Sequence, residues 1–458
     1  MIDSESLDRE DSEMLKAYFE FEKHQTSTSK EVLAGVTTFL TMAYILVVQP
    51  KVLAVDFAGN ETGMSPSAIL LATCLSAGFA SILMGVLARL PIALAPGMGT
   101  NYFFVGVVMG IGGMQLTGVA WQQALAIVFV SGILFLIISA VGARQLILNV
   151  MSPGLKSAIG VGIGLFIAMI GLKNAGVIHA APSLVELNLK GLRSADAAVF
   201  WSGLFVTLFL MARKLPGSIL IGLVVSGVVA ASWGKISPTS IVGTPDADTT
   251  LLFQLDFSAV ITFQGVSWIL VFLFMDIFDT TGTLVGVSQQ AGLIENGEVP
   301  RMNRAMLADS AGTIFGALVG TSTVTSYIES AAGVQQGGRT GLTAVVVGLL
   351  FLAAIFLSPL LVALSGYSPL TASALVVVGA MMFRSAAEID WKDESESIPA
   401  FLVILGIPLF FSIGDGIALG LIASPIVKLA SRKESDVSIT GVVLAGLLIA
   451  YYVFVRAT

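Results

Sequence analysis

Charged residues, cysteine and histidine are scarce in this chain. Of its 458 residues only 12% are charged, whereas a soluble domain carries about 25%. One cysteine, Cys74, rules out an internal disulfide, and with only two histidines, His24 and His179, neither a metal site nor a cofactor is expected. The net charge of -7 suggests no nucleic-acid partner. These absences argue against disulfide scaffolds, zinc enzymes and nucleic-acid-binding proteins.

Apolar residues, in contrast, are abundant in the composition of the chain. They make up 55% of the chain, and the mean hydropathy is +0.91. Apolar stretches recur along nearly the whole sequence, each long enough or almost long enough to cross a hydrocarbon core of roughly 30 Å. The chain is therefore predicted to be an all-α, polytopic membrane protein surrounded by lipid, with no room for a large soluble domain.

The apolar runs predict ordinary membrane spans in two sets. The first set covers residues 32–55, 67–88, 122–142, 155–171, 198–212 and 216–233. The second set covers residues 265–290, 304–320, 341–363, 371–383, 398–412, 415–431 and 437–455. Two further segments, 95–112 and 319–336, are polar and rich in glycine, so we interpret them as interrupted spans.

Lysine and arginine test this threading, because they collect on the cytoplasmic side of short loops. With the N-terminus in the cytoplasm, most of them fall inside, which favours a multi-pass protein of the cell's inner membrane. The predicted units are a cytoplasmic tail (1–30), a first repeat (31–235), an external connecting loop (236–262), a second repeat (263–431) and a C-terminal segment with an extra helix (432–458).

Two internal echoes indicate an inverted repeat. Thr100-Asn101-Tyr102 and Thr325-Ser326-Tyr327 each introduce a helical stretch, and residues 153–170 resemble 368–382. Seven crossings separate the two copies, and an odd number inverts the topology. Two broken helices that meet at mid-membrane are the usual sequence sign of a secondary transporter's binding site.

Carboxylates occur at membrane depth inside this pattern. Asp276, Asp279 and Thr283 share one face of a predicted helix within FMDIFDTTGT. Inserting an ionisable side chain at the centre of a span costs roughly 2.5–3.5 kcal/mol even on the mildest scale. These residues must therefore face protein or water, and by default they are candidates for function.

The interrupted segments supply the other polar candidates. Glu329 and Ser330 lie in TSYIES, and Asn101 lies in GMGTN, with both donor and acceptor capacity. Asp309 is a further acid in the span between the carboxylates, where a structural role is favoured. A structural role as a cap or an interhelical bond is also open for Asp276 and, less so, for Asp279, and least so for Glu329.

Acids without a nearby cation suggest the kind of ligand. A carboxylate accepts N–H groups in charge-assisted hydrogen bonds, so the expected substrate is small, flat, neutral and rich in N–H groups. Burial disfavours the charged form of a carboxyl group, so such a group can also carry a coupled proton. Asp279, Asp276 and Glu329 are the candidates for that coupling.

Four stretches together resemble the AzgA-like purine permeases, a branch of the nucleobase-cation symporter-2 group. They are GVTTFLTMAYILVVQP (35–50), ALAPGMGTNYFF (93–104), FMDIFDTTGTLVGV (274–287) and VGTSTVTSYIESAAGVQQ (319–336). The resemblance extends from about residue 20 to residue 435. It implies fourteen helices in two inverted seven-helix repeats, a core and a gate domain, interrupted third and tenth helices, and often a homodimer.

The resemblance also implies roles for single residues. Asp279 matches the family's eighth-helix acid, Glu329 its tenth-helix acid and Asn101 its third-helix polar contact. Ser330 and Thr283 accompany them as substrate contacts, and the choice between Asp276 and Asp279 as proton carrier stays open. Thr283 stands where uracil-type relatives have histidine, which weakens any transfer of their proton relay.

The sequence thus predicts a transporter without enzymatic activity, namely a proton-coupled importer of adenine, guanine or hypoxanthine that works by alternating access. An anion exchanger of the same architecture is the first alternative, but it calls for a cationic site. A membrane-embedded hydrolase is the second, and neither H-E-x-x-H nor G-x-S-x-G occurs in the chain. The preferred purine is not determined.

Overall fold

The computed structural model describes residues 13–14, 16–56, 60–109, 119–142, 152–181, 184–237, 240–243, 248–295, 298–410 and 413–431, and single residues beyond them. Within these ranges the chain is almost entirely helical. Nine described helices are long and apolar enough to cross a membrane, and two shorter ones are apolar. The predicted all-α, polytopic fold is confirmed.

Helices of the first half follow the predicted spans. They are α1 (Phe21–His24), α2 (Thr28–Met42), α3 (Ile45–Ala54), α4 (Pro66–Leu83), α5 (Met98–Met109), α6 (Trp121–Ala140), α7 (Pro153–Asn174), α8 (Ala195–Ala212) and α9 (Ser218–Ser232). A π-helical turn extends α4 through Met84–Ala88. Strand β1 (Leu94–Pro96) precedes α5, and a hairpin of β2 (Ile178–Ala181) and β3 (Leu184–Leu187) follows α7.

The second half repeats this order. Its helices are α10 (Phe263–Gln290), α11 (Met302–Val319), α12 (Ser330–Gln335), α13 (Gly341–Ala353), α14 (Ser358–Ser365), α15 (Ser368–Met382), α16 (Glu394–Phe410) and α17 (Ile413–Ala430). Strand β4 (Val324–Ser326) precedes α12. The third and tenth spans are therefore each a strand followed by a half-helix, as the interrupted segments predicted.

Polar residues at the helix starts explain several of these boundaries. The side chains of Ser27, Ser152, Ser194, Thr262 and Thr340 accept hydrogen bonds from backbone amides in the first turns of α2, α7, α8, α10 and α13. Such a cap satisfies an amide that has no partner within its helix. The caps let each apolar helix begin where the chain enters the membrane.

The helix of the first span tightens midway, at Ala43 and Tyr44, which the sequence did not predict. Helix α2 ends at Met42 and α3 begins at Ile45, so Ala43 and Tyr44 form a turn inside the membrane. The next amides, of Leu46 and Val47, bond to carbonyls only three residues back. This tightened turn directs the Tyr44 side chain into the protein, where it is 1% exposed.

The echo between residues 153–170 and 368–382 corresponds to two helices that pack together. A Cβ atom on Gly379 of α15 would lie 2.3 Å from the carbonyl oxygen of Gly164 of α7, and one on Gly164 would lie 2.7 Å from the Gly379 carbonyl. Only glycine permits this backbone approach. These two helices are seven spans apart in the predicted threading, so they are equivalent helices of the two repeats. In the structure they contact each other.

The other echo does not hold at the level of residues. Thr100 lies in the first turn of α5, whereas Thr325 is the middle residue of β4 and pairs with Ala95 of β1. The motif TSY thus belongs to the strand and its exit, and TNY belongs to the half-helix. The two motifs are similar because interrupted spans are rich in polar residues. Their residues do not occupy equivalent positions in the two repeats.

We call the face of the protein where α2 begins the entry face. At this face, ion pairs hold the tail segment that precedes α2. Glu20 accepts hydrogen bonds from Arg89, which follows α4, and from Arg301, which precedes α11. Desolvation alone would raise the pKa of Glu20, but the charges of Arg301, Lys23 and Arg89 outweigh it and lower this pKa. Phe19 and Phe21 bury their rings beside Leu342.

At the far face, the loop between α9 and α10 is fastened to the start of α4. Asp248 accepts hydrogen bonds from the hydroxyl groups of Ser65 (2.6 Å), Ser67 (2.7 Å) and Thr250 (2.6 Å). Desolvation opposes its ionisation, but the hydrogen bonds from Ser65, Thr250 and Ser67 lower the pKa of Asp248 to about 2. The contact therefore stabilises the ionised, folded form.

We expect Asp248→Asn to lower the melting temperature by about 1–3 °C at pH 7, because an amide replaces a charged acceptor of three hydroxyl groups. A carboxyl group in an unfolded chain has a pKa of about 3.9. The stabilisation is complete above that pH and is lost as the pH falls towards 2. Thermal unfolding at pH 7 and pH 3 measures this, with Asp256→Asn, an exposed acid of the same loop, as control. An equal effect of both variants would contradict the prediction.

Of the predicted extra helix at 437–455 the structure describes only residues 441, 442, 445, 446, 448, 449 and 452. The remainder of that segment lies outside the described residues. The same holds for residues 1–12 of the predicted tail and for residues 110–118 after α5.

Candidate functional site

The two interrupted spans meet at a short antiparallel ladder. Leu94 pairs with Ser326, Ala95 with Thr325 and Pro96 with Val324. Backbone bonds from Gly97 to Thr323 (3.0 Å) and from Tyr327 to Ala93 (2.9 Å) extend the ladder at both ends. Strand backbone at membrane depth is tolerated because each chain satisfies the other. Half-helices α5 and α12 leave this ladder in opposite directions.

Glu329 lies directly before α12. Its Oε1 atom accepts a hydrogen bond of 2.8 Å from the Tyr44 hydroxyl group, and its backbone carbonyl lies 3.4 Å from Thr41 Oγ1. The Glu329 side chain is partly exposed, so it borders space that a ligand can enter. The neighbouring Ser330 is fully buried, and its hydroxyl oxygen accepts the Ala93 amide at 3.0 Å. In this structure Ser330 joins the two interrupted spans.

Asp279 is the exposed acid of α10. Its Oδ2 atom lies 3.3 Å from the Thr325 hydroxyl group of β4, and its charge interacts with that of Glu329. The two carboxylates therefore face the same region from opposite elements. Thr283, one turn further along α10, is 7% exposed. The predicted stripe thus divides, with Asp279 open to the site and Thr283 buried.

Asp276 and Asp309 form a second, fully buried group behind the ladder. Asp276 is 1% exposed and accepts a hydrogen bond from Thr313 (2.9 Å), and Asp309 is 0% exposed and accepts hydrogen bonds from Thr280 (2.6 Å) and Ser326 (3.2 Å). The two carboxyl groups interact electrostatically. Each keeps one oxygen, Oδ1, without a hydrogen-bond partner in the described part of the chain.

Two hydroxyl groups connect the buried pair to the open site. Thr280 lies 2.9 Å from Thr325 and donates to Asp309, and Thr325 in turn bonds to Asp279. A chain of polar atoms therefore runs from Asp309 through Thr280 and Thr325 to Asp279. Such a chain can carry a change of charge from one group to the other.

Asn101, on α5, lies in a polar network on the other side of the ladder. Its Oδ1 atom accepts a hydrogen bond of 3.0 Å from Gln49 of α3 and another from Ser322, and its amide nitrogen donates to Gln49. Gln49 also donates to Thr321 at 2.9 Å. Asn101 is 0% exposed, so here its amide holds the first and tenth spans together.

The structure thus brings Glu329 and Asp279 together, places Asp276 and Asp309 behind them, and sets Asn101 apart. Sequence reasoning missed Tyr44 and Gln49, although both lie in the quoted motif of the first span. It also missed a cation–π contact of α10, in which the Lys156 ammonium group of α7 lies 5.1 Å from the centre of the Phe278 ring. Among the described residues no group of His, Cys, Asp or Glu could hold a metal ion.

Comparisons with known proteins identify the family of the chain. The profile Xan_ur_permease, described as "Permease family", matches residues 29–420. The adenine permease AdeP of Escherichia coli K12 is 40% identical over 445 residues, 97% of each chain. The guanine/hypoxanthine permease PbuG of Bacillus subtilis 168 is 40% identical over 448 residues, which cover 96% of this chain and all of the relative.

Solved structures share the fold at low identity. The transmembrane domain of the cyanobacterial bicarbonate transporter BicA superposes with a TM-score of 0.61 at 16% identity, covering 86% of this chain and 97% of BicA. The anion transporter SLC26A9 gives a TM-score of 0.58 at 12% identity, covering 94% of this chain and 70% of its own. At these identities the likeness concerns architecture alone.

Proposed function

Because the chain belongs to the Xan_ur_permease family and to its purine permease group, and is thus a transporter and not an enzyme, we propose that it imports purine nucleobases together with protons by alternating access. The proposed location is the cytoplasmic membrane, with the N-terminus in the cytoplasm. The observation that carries the proposal is the pair of carboxylates, Glu329 and Asp279, at the junction of the interrupted spans.

Glu329 is proposed to accept N–H groups of the purine. A carboxylate offers about four lone-pair positions, and the Tyr44 hydroxyl group occupies one of them. A neutral purine carries N–H groups in the plane of a flat ring, and these can donate to the remaining positions. Adenine, guanine and hypoxanthine all fit this chemistry, and the relatives named above are permeases for these bases.

The architecture alone would equally suit an anion exchanger, since BicA and SLC26A9 share it. Charge separates the two functions. An anion would have to bind beside two acids, Glu329 and Asp279, whose charges would repel it. This arrangement favours a neutral N–H donor over an anion.

Proton coupling is assigned to the buried pair of Asp276 and Asp309. Two desolvated carboxyl groups that interact electrostatically do not both ionise without a compensating cation. Two unpartnered oxygens, one on each residue, leave a place for a shared proton. The hydroxyl chain through Thr280 and Thr325 connects that proton to Asp279 and hence to the substrate.

Uptake of radiolabelled adenine into proteoliposomes, with and without an inward proton gradient, tests the proposal. Unlabelled guanine, hypoxanthine, xanthine and uracil serve as competitors, and bicarbonate and sulfate test the anion alternative. We expect uptake driven by the gradient and inhibited by purines but not by uracil or the anions. Folded protein that takes up no purine, or that exchanges anions, would overturn the proposal.

A further inference from the structure

The break in the first span gives that span a direct part in the site. Tyr44 occupies the turn between α2 and α3, and its hydroxyl group reaches Glu329 Oε1 across the interface between the first and tenth spans. Among the described side chains, that of Tyr44 donates a hydrogen bond to this carboxylate, and Asp279 and Tyr327 interact with it electrostatically.

We propose that Tyr44 is a positioning residue that fixes the Glu329 carboxylate for the substrate. A glutamate side chain has three rotatable bonds, and ordering it on binding would weaken affinity. A donor that already holds one oxygen removes much of that cost, because the acceptor is oriented before the ligand arrives. This inference rests on the proposed function. It adds to the site a residue of the first span, outside the two interrupted spans at 95–112 and 319–336.

The same donor also limits what Glu329 can accept. With Oε1 bonded to Tyr44, the carboxylate presents a narrower set of lone pairs to the ligand. Thr41, one turn earlier, lies 3.4 Å from the Glu329 carbonyl, so the first span touches this residue at both backbone and side chain. Tyr44 therefore links the geometry of the first span to the orientation of the acceptor.

A double-mutant cycle on purine binding tests the role. Tyr44→Phe removes only the hydroxyl group and is expected to weaken binding about tenfold, since a hydrogen bond to a charged group is lost. In the Glu329→Gln background the same change is expected to alter binding by less than about twofold, because Tyr44 acts through the carboxylate. Tyr327→Phe is the control, since its hydroxyl group bonds to the Pro96 carbonyl at 2.5 Å and not to Glu329.

The outcomes separate the two levels of the proposal. Wild-type protein that binds no purine would overturn the proposed function and the role of Tyr44 with it. Purine binding by the wild type with unchanged affinity in Tyr44→Phe would overturn the role of Tyr44 alone. An equal loss in both backgrounds, as expected for Tyr327→Phe, would likewise show that Tyr44 supports the fold and not the carboxylate.

Discussion

Replacing Glu329 by glutamine should weaken purine binding about 100-fold. The carboxylate is the proposed acceptor of two N–H groups, and hydrogen bonds to a charged group contribute roughly 1.5–3 kcal/mol each. Glutamine keeps the size of the side chain but offers one acceptor oxygen and adds an amide donor that faces the ligand's own N–H groups. Alanine at this position should abolish measurable binding. Calorimetric titration of purified protein with adenine and guanine measures both effects.

Two controls accompany this experiment. Glu388→Gln removes an exposed acid outside the site, which accepts a hydrogen bond from Ser157 at 2.8 Å, and it should bind purine like the wild type. The melting temperature of Glu329→Gln should stay within a few degrees of the wild type, because glutamine keeps the size and shape of the glutamate side chain. Wild-type affinity in a folded Glu329→Gln variant would exclude Glu329 as the acceptor.

Replacing Asp276 or Asp309 by asparagine should abolish concentrative uptake and spare exchange. An inward gradient of one pH unit is worth 1.36 kcal/mol per proton, or about tenfold accumulation with one coupled proton. Asparagine resembles a permanently protonated carboxyl group, so the variant can still carry purine across the membrane but cannot release the proton. The accumulation ratio should therefore fall from about ten to about one.

Proteoliposomes loaded with unlabelled adenine separate the two activities. Labelled adenine should enter such vesicles by exchange at near wild-type rates in both variants, and gradient-driven uptake into empty vesicles should be lost. Thr280→Val is the informative companion, because it removes the hydroxyl group between Asp309 and Thr325 but leaves both acids in place. Concentrative uptake that survives in both asparagine variants would place the coupled proton elsewhere, on Asp279 or Glu329.

The sequence predicted the architecture because its signals are local. Span lengths, the glycine-rich interruptions at 95–112 and 319–336, and the depth of Asp276, Asp279 and Glu329 can each be recognised within a window of about twenty residues. The pairing of the two interrupted spans also followed, since an odd number of crossings between similar segments inverts one relative to the other. These features depend on hydropathy and backbone chemistry, and both can be assessed from a single sequence.

The orientation of single side chains could not be predicted in this way. The resemblance implies that Asn101 is a polar contact of the third helix, and the structure shows it in a buried network with Gln49 and Ser322. Rotation about the axis of α5 decides which partners this side chain meets, and the sequence pattern does not determine that rotation. The break at Ala43 and Tyr44 has no glycine or proline at the turn itself. The Tyr44 hydroxyl group bonds to the Glu329 carboxylate, 285 residues further along the chain, and such a contact has no local signal.

The ladder between β1 and β4 has a mechanical consequence for transport. Residues 93–97 and 323–327 link the two interrupted spans through backbone hydrogen bonds. Pulling these strands apart would leave peptide groups unpaired in a medium without water, at several kcal/mol each. The two half-helices must therefore move as one rigid body. A purine bound between them would move with them and would not be released by separation of the two halves of its site.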